Sequence, residues 1–257
     1  MDHLITATAE QLLTALERAE LVAALTTLEQ KGVAVGYQVQ DLNIDNRVLK
    51  GDHLTGWKVA LTNQAGLDRF KVNEPAYGPL LASMCVDNGG ELSMNGLSTP
   101  KLEAELAFIL GEELAGAQQS EEQLLSAITS IAPAIEIADC RVKDWSVNAT
   151  AFVADNAAAA RYCLGSPVPF QIEDYADIGC ELYLNQEHLS SGTGSNVSGG
   201  PLNSLLWLLR ALLNRGKSIS KGQVILTGTL TKPVDITSGD KIRLEMLDST
   251  VEISVVD

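Results

Sequence analysis

Positive charge is what this chain is shortest of: 18 lysines and arginines face 33 aspartates and glutamates across 257 residues, a formal net charge of −15. Nucleic acid and anionic membrane surfaces both require a basic face, so neither is expected as a partner. A small anionic substrate is not excluded, because a bound divalent cation reverses the local field. No apolar run reaches the length of a membrane span, and the start "MDHLITATAEQLL" lacks the basic residues and apolar centre of a signal peptide. Cys85, Cys140, Cys163 and Cys180 are widely spaced with no CxxC pair, so four free core thiols in a reduced, cytoplasmic protein are expected rather than a disulfide frame. Internal repeats, low-complexity stretches and obvious linkers are absent as well.

What is present is a globular composition, 46% apolar and 20% charged. Residues 6–30 carry Leu12, Leu13, Leu16 and Ala19 at helical spacing with charges between them, which predicts one or two amphipathic helices. A glycine-bounded segment, "KGVAVGYQVQDLN", follows, and from "TGWKVALT" onward short apolar runs alternate with Gly, Pro, Asn and Asp, a strand-rich texture. Two later helices are signalled: "SEEQLLSAI", with Ser120 as N-cap and Gln123 at the capping-box spacing, and "GPLNSLLWLLRALLNRG", with Pro201 in the first turn and a stop at Gly216. "GQVILTGTL" and "DKIRLEMLDSTVEISVV" read as strands joined by "TSGD". The expected fold is α+β, with a helical N-terminal segment over residues 1–50 and one larger domain over 51–257.

One stretch, "TPKLEAELAFIL", spends two charges inside an apolar run. On a helix, residues two apart point away from each other. On a strand, Glu103 and Glu105 share a face about 7 Å apart along it. Leu102, Ala104, Leu106, Phe108 and Leu110 then form an apolar back, so the strand accounts for every residue. Two like charges that close raise a pKa or recruit a cation. A third acid, Glu136, is bracketed by Ile135 and Ile137 in "APAIEIADC". Three carboxylates with no histidine near them in sequence suit Mg²⁺ or Mn²⁺ rather than zinc. On spacing alone a second reading stands beside this one: Glu103 and Glu105 simply face solvent from a half-exposed strand.

The ordered markers "GWKVALT", "PKLEAELAFIL", "PAIEIADCRVKDW", "VADNA", "SSGTGS", "GPLNSLLWL" and "ILTGTL" resemble the fumarylacetoacetate-hydrolase-like superfamily. Within it, they resemble the branch of 2-oxopent-4-enoate hydratases and 4-oxalocrotonate decarboxylases of aromatic meta-cleavage pathways. The resemblance implies a mixed β-sheet roll or sandwich for residues 51–257, with Glu103, Glu105 and Glu136 as ligands to Mg²⁺ or Mn²⁺. It places Lys58 in the active site, where a buried lysine needs a carboxylate or an anionic substrate beside it. It also implies that the turn at Thr227, Gly228 and Thr229 approaches the substrate, glycine by its backbone and threonine by its hydroxyl.

The chain departs from the branch in three places. "NEPAYG" stands where hydratases commonly read "QPDFG", so Ala76 replaces the acid expected for proton handling and Tyr77 replaces phenylalanine. Gly200 stands in "GGPL" where a histidine is usual. Asp144 and Trp145 of "RVKDW" look more like the hydratases, and "ARYCLG" leans toward the decarboxylases. The resemblance implies a small 2-oxo acid chelated through its C1 carboxylate and C2 oxygen, the metal drawing off negative charge as a Lewis acid. Lys58 would hold or protonate an anionic group; Tyr77 is either a proton donor or a packing aromatic. Hydration of a 2-hydroxypenta-2,4-dienoate is the leading expectation, with 2-oxo-acid decarboxylation as the alternative. Acylpyruvate hydrolysis ranks lower because His3, His53 and His188 show no histidine–acid dyad in sequence. A non-catalytic subunit partnering a pathway hydratase or decarboxylase is the reading of a different class, and self-association into a homo-oligomer is expected.

Overall fold

Strand β5, Lys101–Leu110, lies at the middle of the molecule, and its ten residues alternate as the sequence pattern requires. In the computed structural model, which describes residues 2–257, Leu102, Ala104, Leu106, Phe108 and Leu110 are each at most 1% exposed. The strands preceding β5 are β1 (Leu54–Ala60), β2 (Ala76–Leu81), β3 (Cys85–Val86) and β4 (Glu91–Ser93). After it come β6 (Ile128–Ala138), β7 (Ala159–Leu164), β8 (Val168–Pro169), β9 (Gly179–Leu184) and β10 (Glu187–Thr193). The chain closes with β11 (Val224–Thr229), β12 (Val234–Asp235), β13 (Lys241–Met246) and β14 (Ser249–Val256).

These strands form two mixed sheets. The larger runs β2-β1-β11-β5-β6-β7-β3, with β12 beside β5 and β8 beside β6; the smaller runs β10-β9-β13-β14-β4. The apolar back of β5 and the matching residues of β6, Ile131, Ile135 and Ile137, share one core with Leu182, Leu244, Val251 and Ile253 of the smaller sheet. The larger sheet curls until the Tyr162 hydroxyl on β7 donates to Thr55 Oγ1 on β1 at 2.9 Å. The inside of this roll is filled by Leu80, Ala107, Ala134, Tyr162 and Leu226. The glutamates of β5 open on that inner face, so the fold leaves a polar pocket at one end of an apolar roll.

Helices α1 (His3–Arg18), α2 (Thr26–Glu29) and α3 (Val33–Leu49) precede the first strand, consistent with a helical start to the chain. α3 packs along α6 (Ala149–Ala154) so closely that a Cβ at Gly36 would lie 2.4 Å from the Thr150 carbonyl oxygen. Between them lie α4 (Gln64–Phe70) and α5 (Glu121–Ser126); α5 carries the complete capping box, and α7 (Pro201–Asn214) follows with proline in its first turn. "TSGD" leads into β13 as expected, although β11 and β13 belong to different sheets and the short β12 lies between them. The reversal lies inside the second run, between β13 and β14, where Leu247 and Asp248 take left-handed φ values of 56° and 52°. All four cysteines are free, but Cys85 is exposed rather than in the core.

Candidate metal centre

Antiparallel pairing of β5 with β6 sets Glu103 directly opposite Glu136, and pairing of β5 with β11 sets Glu105 opposite Thr229. Side chains paired across strands meet at close range. One carboxylate oxygen from each of Glu103, Glu105 and Glu136 can be chosen so that all lie within 4.8 Å of one another. Glu105 and Glu136 are fully buried, and Glu103 is half-buried at the edge of an open cleft of about 1060 Å³.

Lys58 reaches the same group from β1. Its Nζ lies 2.9 Å from Glu136 Oε1, an ion-pair contact rather than an aligned hydrogen bond, and donates to the Ala157 carbonyl at 3.1 Å. That carbonyl is presented by a strained turn: Asn156, Ala157 and Ala158 all hold left-handed φ values, 55°, 48° and 59°. Such conformations cost about 1–3 kcal/mol per non-glycine residue and persist only where the surroundings enforce them. Here Asn156 Nδ2 bonds Pro79 O at 3.0 Å, and the buried Arg141–Asp155 pair anchors the preceding residue. Asp139, three residues past Glu136, accepts the Ser98 and Thr99 amides at 2.7–3.1 Å and steadies the entry into β5.

Gly228 donates its amide to Glu105 Oε2 at 2.7 Å. Its φ is 108°, and a Cβ there would stand 2.2 Å from Thr62 Oγ1, so glycine is required twice over. The Thr229 hydroxyl donates to Thr231 O at 2.9 Å and that of Thr227 to Leu106 O at 2.8 Å. Both hydroxyl protons are therefore spent on holding the turn.

The remaining oxygens reveal the electrostatic problem. Glu105 Oε1 and Glu136 Oε2 are buried without a hydrogen-bond partner among the described residues. Burial first, and Glu136 second, raise the Glu103 carboxyl to about 7 against the opposing pull of Lys58. The same two causes and Glu103 push Glu105 well above the usual carboxylate range, with Lys58 and the Gly228 amide opposing. Burial alone would depress the Lys58 ammonium, but Glu136, Glu103 and Glu105 outweigh it and raise its pKa. Three carboxylates and one ammonium leave two negative charges uncompensated when all are ionised. A hard dication with oxygen ligands fits this donor set and its orphaned atoms.

The structure brings Glu103, Glu105, Glu136, Lys58 and Gly228 together, and keeps Tyr77 apart. Tyr77 pairs with Val59, so it projects from the face of β1 and β2 opposite Lys58. Its ring is 2% exposed, stacked on Tyr37 at 4.6 Å and edge-on to Trp57 at 5.8 Å. Burial pushes its phenol further above the ordinary range. It is a packing aromatic. Ala76 is enclosed with Phe70 and Phe152 in an apolar cluster.

Sequence reasoning passed over the Ala157 carbonyl, whose signal was the quoted "VADNA", and the cleft-lining Trp145, whose Nε1 donates to Thr99 Oγ1 at 2.8 Å. It also missed an acid partner for a histidine: His188 Nε2 lies 2.6 Å from Glu181 Oε2 and 3.2 Å from Ser191 Oγ. Both neighbours meet the same nitrogen on an exposed strand pair, which is not the arrangement of a base oriented by an acid through its second nitrogen.

Comparison with known proteins identifies the family. Residues 67–255 match the family model described as fumarylacetoacetate (FAA) hydrolase C-terminal. A TodF product hydratase of Pseudomonas putida is 33% identical over 222 residues, 86% of this chain and 82% of that one. A 2-keto-4-pentenoate hydratase of Paraburkholderia xenovorans is 32% identical, over 90% and 87% respectively. Among solved structures, 4-oxalocrotonate decarboxylase from Pseudomonas putida G7, complexed with magnesium and adipate, superposes with a TM-score of 0.91 at 28% identity, covering 98% of this chain and 97% of that one.

Proposed function

Because the chain belongs to the fumarylacetoacetate (FAA) hydrolase C-terminal family, we propose that it is a divalent-metal-dependent hydratase of a 2-hydroxypenta-2,4-dienoate (2-oxopent-4-enoate)-type 2-oxo acid. The observation that carries the reading is the cluster of Glu103, Glu105 and Glu136 against Lys58 at the edge of the cleft, in a chain with hydratase relatives along most of its length. Mg²⁺ and Mn²⁺ both suit these oxygen donors.

Bound there, the dication would supply Lewis-acid stabilisation of negative charge on the substrate's C2 oxygen. The chain's own residues do the rest. Glu103, Glu105 and Glu136 hold it, with the Gly228 amide fixing the orientation of Glu105. Lys58 is positioned by Glu136 and the Ala157 carbonyl, and adds a fixed positive charge beside an incoming carboxylate. Trp145, Phe70 and Phe152 line the cleft and offer apolar surface to the carbon chain. With Ala76 and Tyr77 both enclosed in packing, proton handling falls to Lys58 and solvent in the open cleft.

The test is loss of ultraviolet absorbance of 2-hydroxypenta-2,4-dienoate with and without added Mg²⁺ or Mn²⁺. Metal-dependent consumption without CO₂ release supports the reading; CO₂ release from 4-oxalocrotonate and inert 2-hydroxypentadienoate would replace it with decarboxylation. That second reading draws on the 0.91 superposition with the decarboxylase and on Ala76 where hydratases carry an acid.

A further inference from the structure

Thr227, Thr229 and Thr231 stand at alternate positions where β11 ends, and only the first two spend their hydroxyls. Thr227 donates to Leu106 O and Thr229 to Thr231 O. Thr231 is 7% exposed and lines the cleft, yet its Oγ1 meets no hydrogen-bond partner among the described residues. Its backbone is fixed all the same. Leu230 N donates to Ala104 O at 2.7 Å, Asn196 Nδ2 to Leu230 O at 2.6 Å, and Thr231 N to Thr229 Oγ1 at 3.3 Å. The free hydroxyl therefore sits on a rigid support.

Strand β10 repeats the pattern beside it. Its pairing with β9 sets Ser190 opposite Leu182 and Gly192 opposite Cys180, both buried, so Ser190 and Gly192 look inward. Gly192 lies against the threonine turn: a Cβ there would stand 2.9 Å from Thr231 Cγ2. Ser191 spends its hydroxyl on Glu181 Oε2 at 2.6 Å, and Thr193 shares a hydrogen bond with Ser195 at 2.7 Å. The enclosed Ser190 Oγ, on the cleft lining, has no partner among the described residues. Buried hydroxyls without partners are rare in native structures. Two on one lining, each able to donate and to accept, suit a small neutral partner that does both. A water molecule is such a partner, and between two hydroxyls it keeps a lone pair free.

The hydroxyls lie close to the glutamates along the chain. Thr229 pairs with Glu105, and Thr231 follows it by two residues, an offset of at most about 7 Å. In a 2-oxo acid held through its C2 oxygen, C4 lies two carbon–carbon bonds beyond C2, about 2.5 Å.

We propose that Thr231 and Ser190 seat the water that adds to C4, as positioning residues for hydration. The inference rests on the hydratase reading. A 2-hydroxy-2,4-dienoate is not electrophilic at C4 until its C2 hydroxyl proton leaves and a proton arrives at C5, giving the conjugated 2-oxo-3-enoate. The water oxygen then bonds to C4, the C3=C4 electron pair shifts toward the C2 carbonyl, and a proton is taken up at C3. The proton lost by the water passes to solvent in the open cleft, so the balance is one water gained and no net change in protons. Only the second half of this sequence uses the seated water.

The test is proton NMR of 2-hydroxypenta-2,4-dienoate turnover by the Mg²⁺-loaded parent and by Thr231→Val and Ser190→Ala. The parent is expected to yield 4-hydroxy-2-oxopentanoate directly. In each variant kcat for that product is expected to fall about 10–100-fold, the scale of misplacing one reactant, with KM within about threefold of the parent. The enone 2-oxopent-3-enoate is expected to accumulate, because its formation needs no seated water. Thr231→Ser, which keeps a hydroxyl, is expected to recover most of the rate. A role in packing alone would slow enone and hydrate together without accumulation, or leave Thr231→Ser as slow as Thr231→Val; either result overturns the seat. Undiminished hydration in both variants overturns it too and leaves the hydratase reading intact. A parent that leaves the dienoate untouched overturns that reading and the seat with it.

Discussion

Lys58 is a single ammonium set against three carboxylates, and the imbalance makes its replacement informative. In Lys58→Met, Glu105, Glu103 and Glu136 remain to hold a dication, and the positive charge that opposed it is gone. Mn²⁺ affinity at pH 8 is therefore expected to stay within about tenfold of the parent, while turnover falls by about 10²–10⁴, the usual contribution of a positioned acid–base or charge-bearing group. Parallel calorimetry and steady-state assays separate the two; a loss of metal binding equal to the loss of turnover would show that Lys58 only props up the ligands. Gly228→Ala acts on Glu105 instead. The new methyl meets Thr62 at 2.2 Å in a left-handed backbone, so about 1–3 kcal/mol of stability is expected to be lost, with weaker Mn²⁺ binding as the amide leaves Glu105. Urea denaturation and a manganese titration of the same sample check both effects.

At the scale of elements, legibility in the sequence followed how local the cause was. The alternation of β5 needed no partner strand to be read, because an apolar back with paired acids in front fits only one periodicity. The capping box of α5 and the proline-led start of α7 are equally local, and both are present. Ser120→Ala is accordingly expected to cost about 1 kcal/mol in chemical denaturation and to leave Mn²⁺ affinity unchanged, since α5 contributes no residue to the cluster. What escaped was set by packing. The bounds of α3 are one case: within the helical segment expected over residues 1–50, "VAVGYQVQDLNIDNRVL" is rich in β-branched residues and has little amphipathic pattern of its own, and Gly36 lets it lie against α6. The three left-handed residues at 156–158 follow from the Arg141–Asp155 anchor and the Asn156 bond to Pro79 O, contacts across the fold that no residue spacing records. Tyr77 went the same way: its side of the sheet was decided by its register with Val59.

Across the whole molecule, the cluster couples metal, protons and stability. A carboxyl raised from 4.5 to about 7 on folding, as Glu103 is, binds more protons in the folded than in the unfolded chain over that window. Stability of the metal-free protein therefore falls as pH rises through it, and the loss is complete above the folded value. Glu105 shifts in the same direction. Thermal denaturation of metal-free protein is expected to show a lower midpoint at pH 8 than at pH 6, with the gap closing on addition of Mn²⁺, whose binding displaces those protons. A midpoint that rises from pH 6 to pH 8 without metal would mean that the carboxylates are compensated by something other than a dication.

The most direct measurement is isothermal titration of Mn²⁺ into the purified protein at pH 8, repeated with Glu105→Gln and Glu136→Gln. One dication is expected to bind per chain in the parent, with release of protons, and each substitution is expected to weaken it by more than the about 10–100-fold typical of losing a group that only orients a ligand, the variants keeping a native circular dichroism spectrum. Absence of binding by the parent, or undiminished binding by the two folded variants, would contradict the assignment of Glu103, Glu105 and Glu136 as the metal centre.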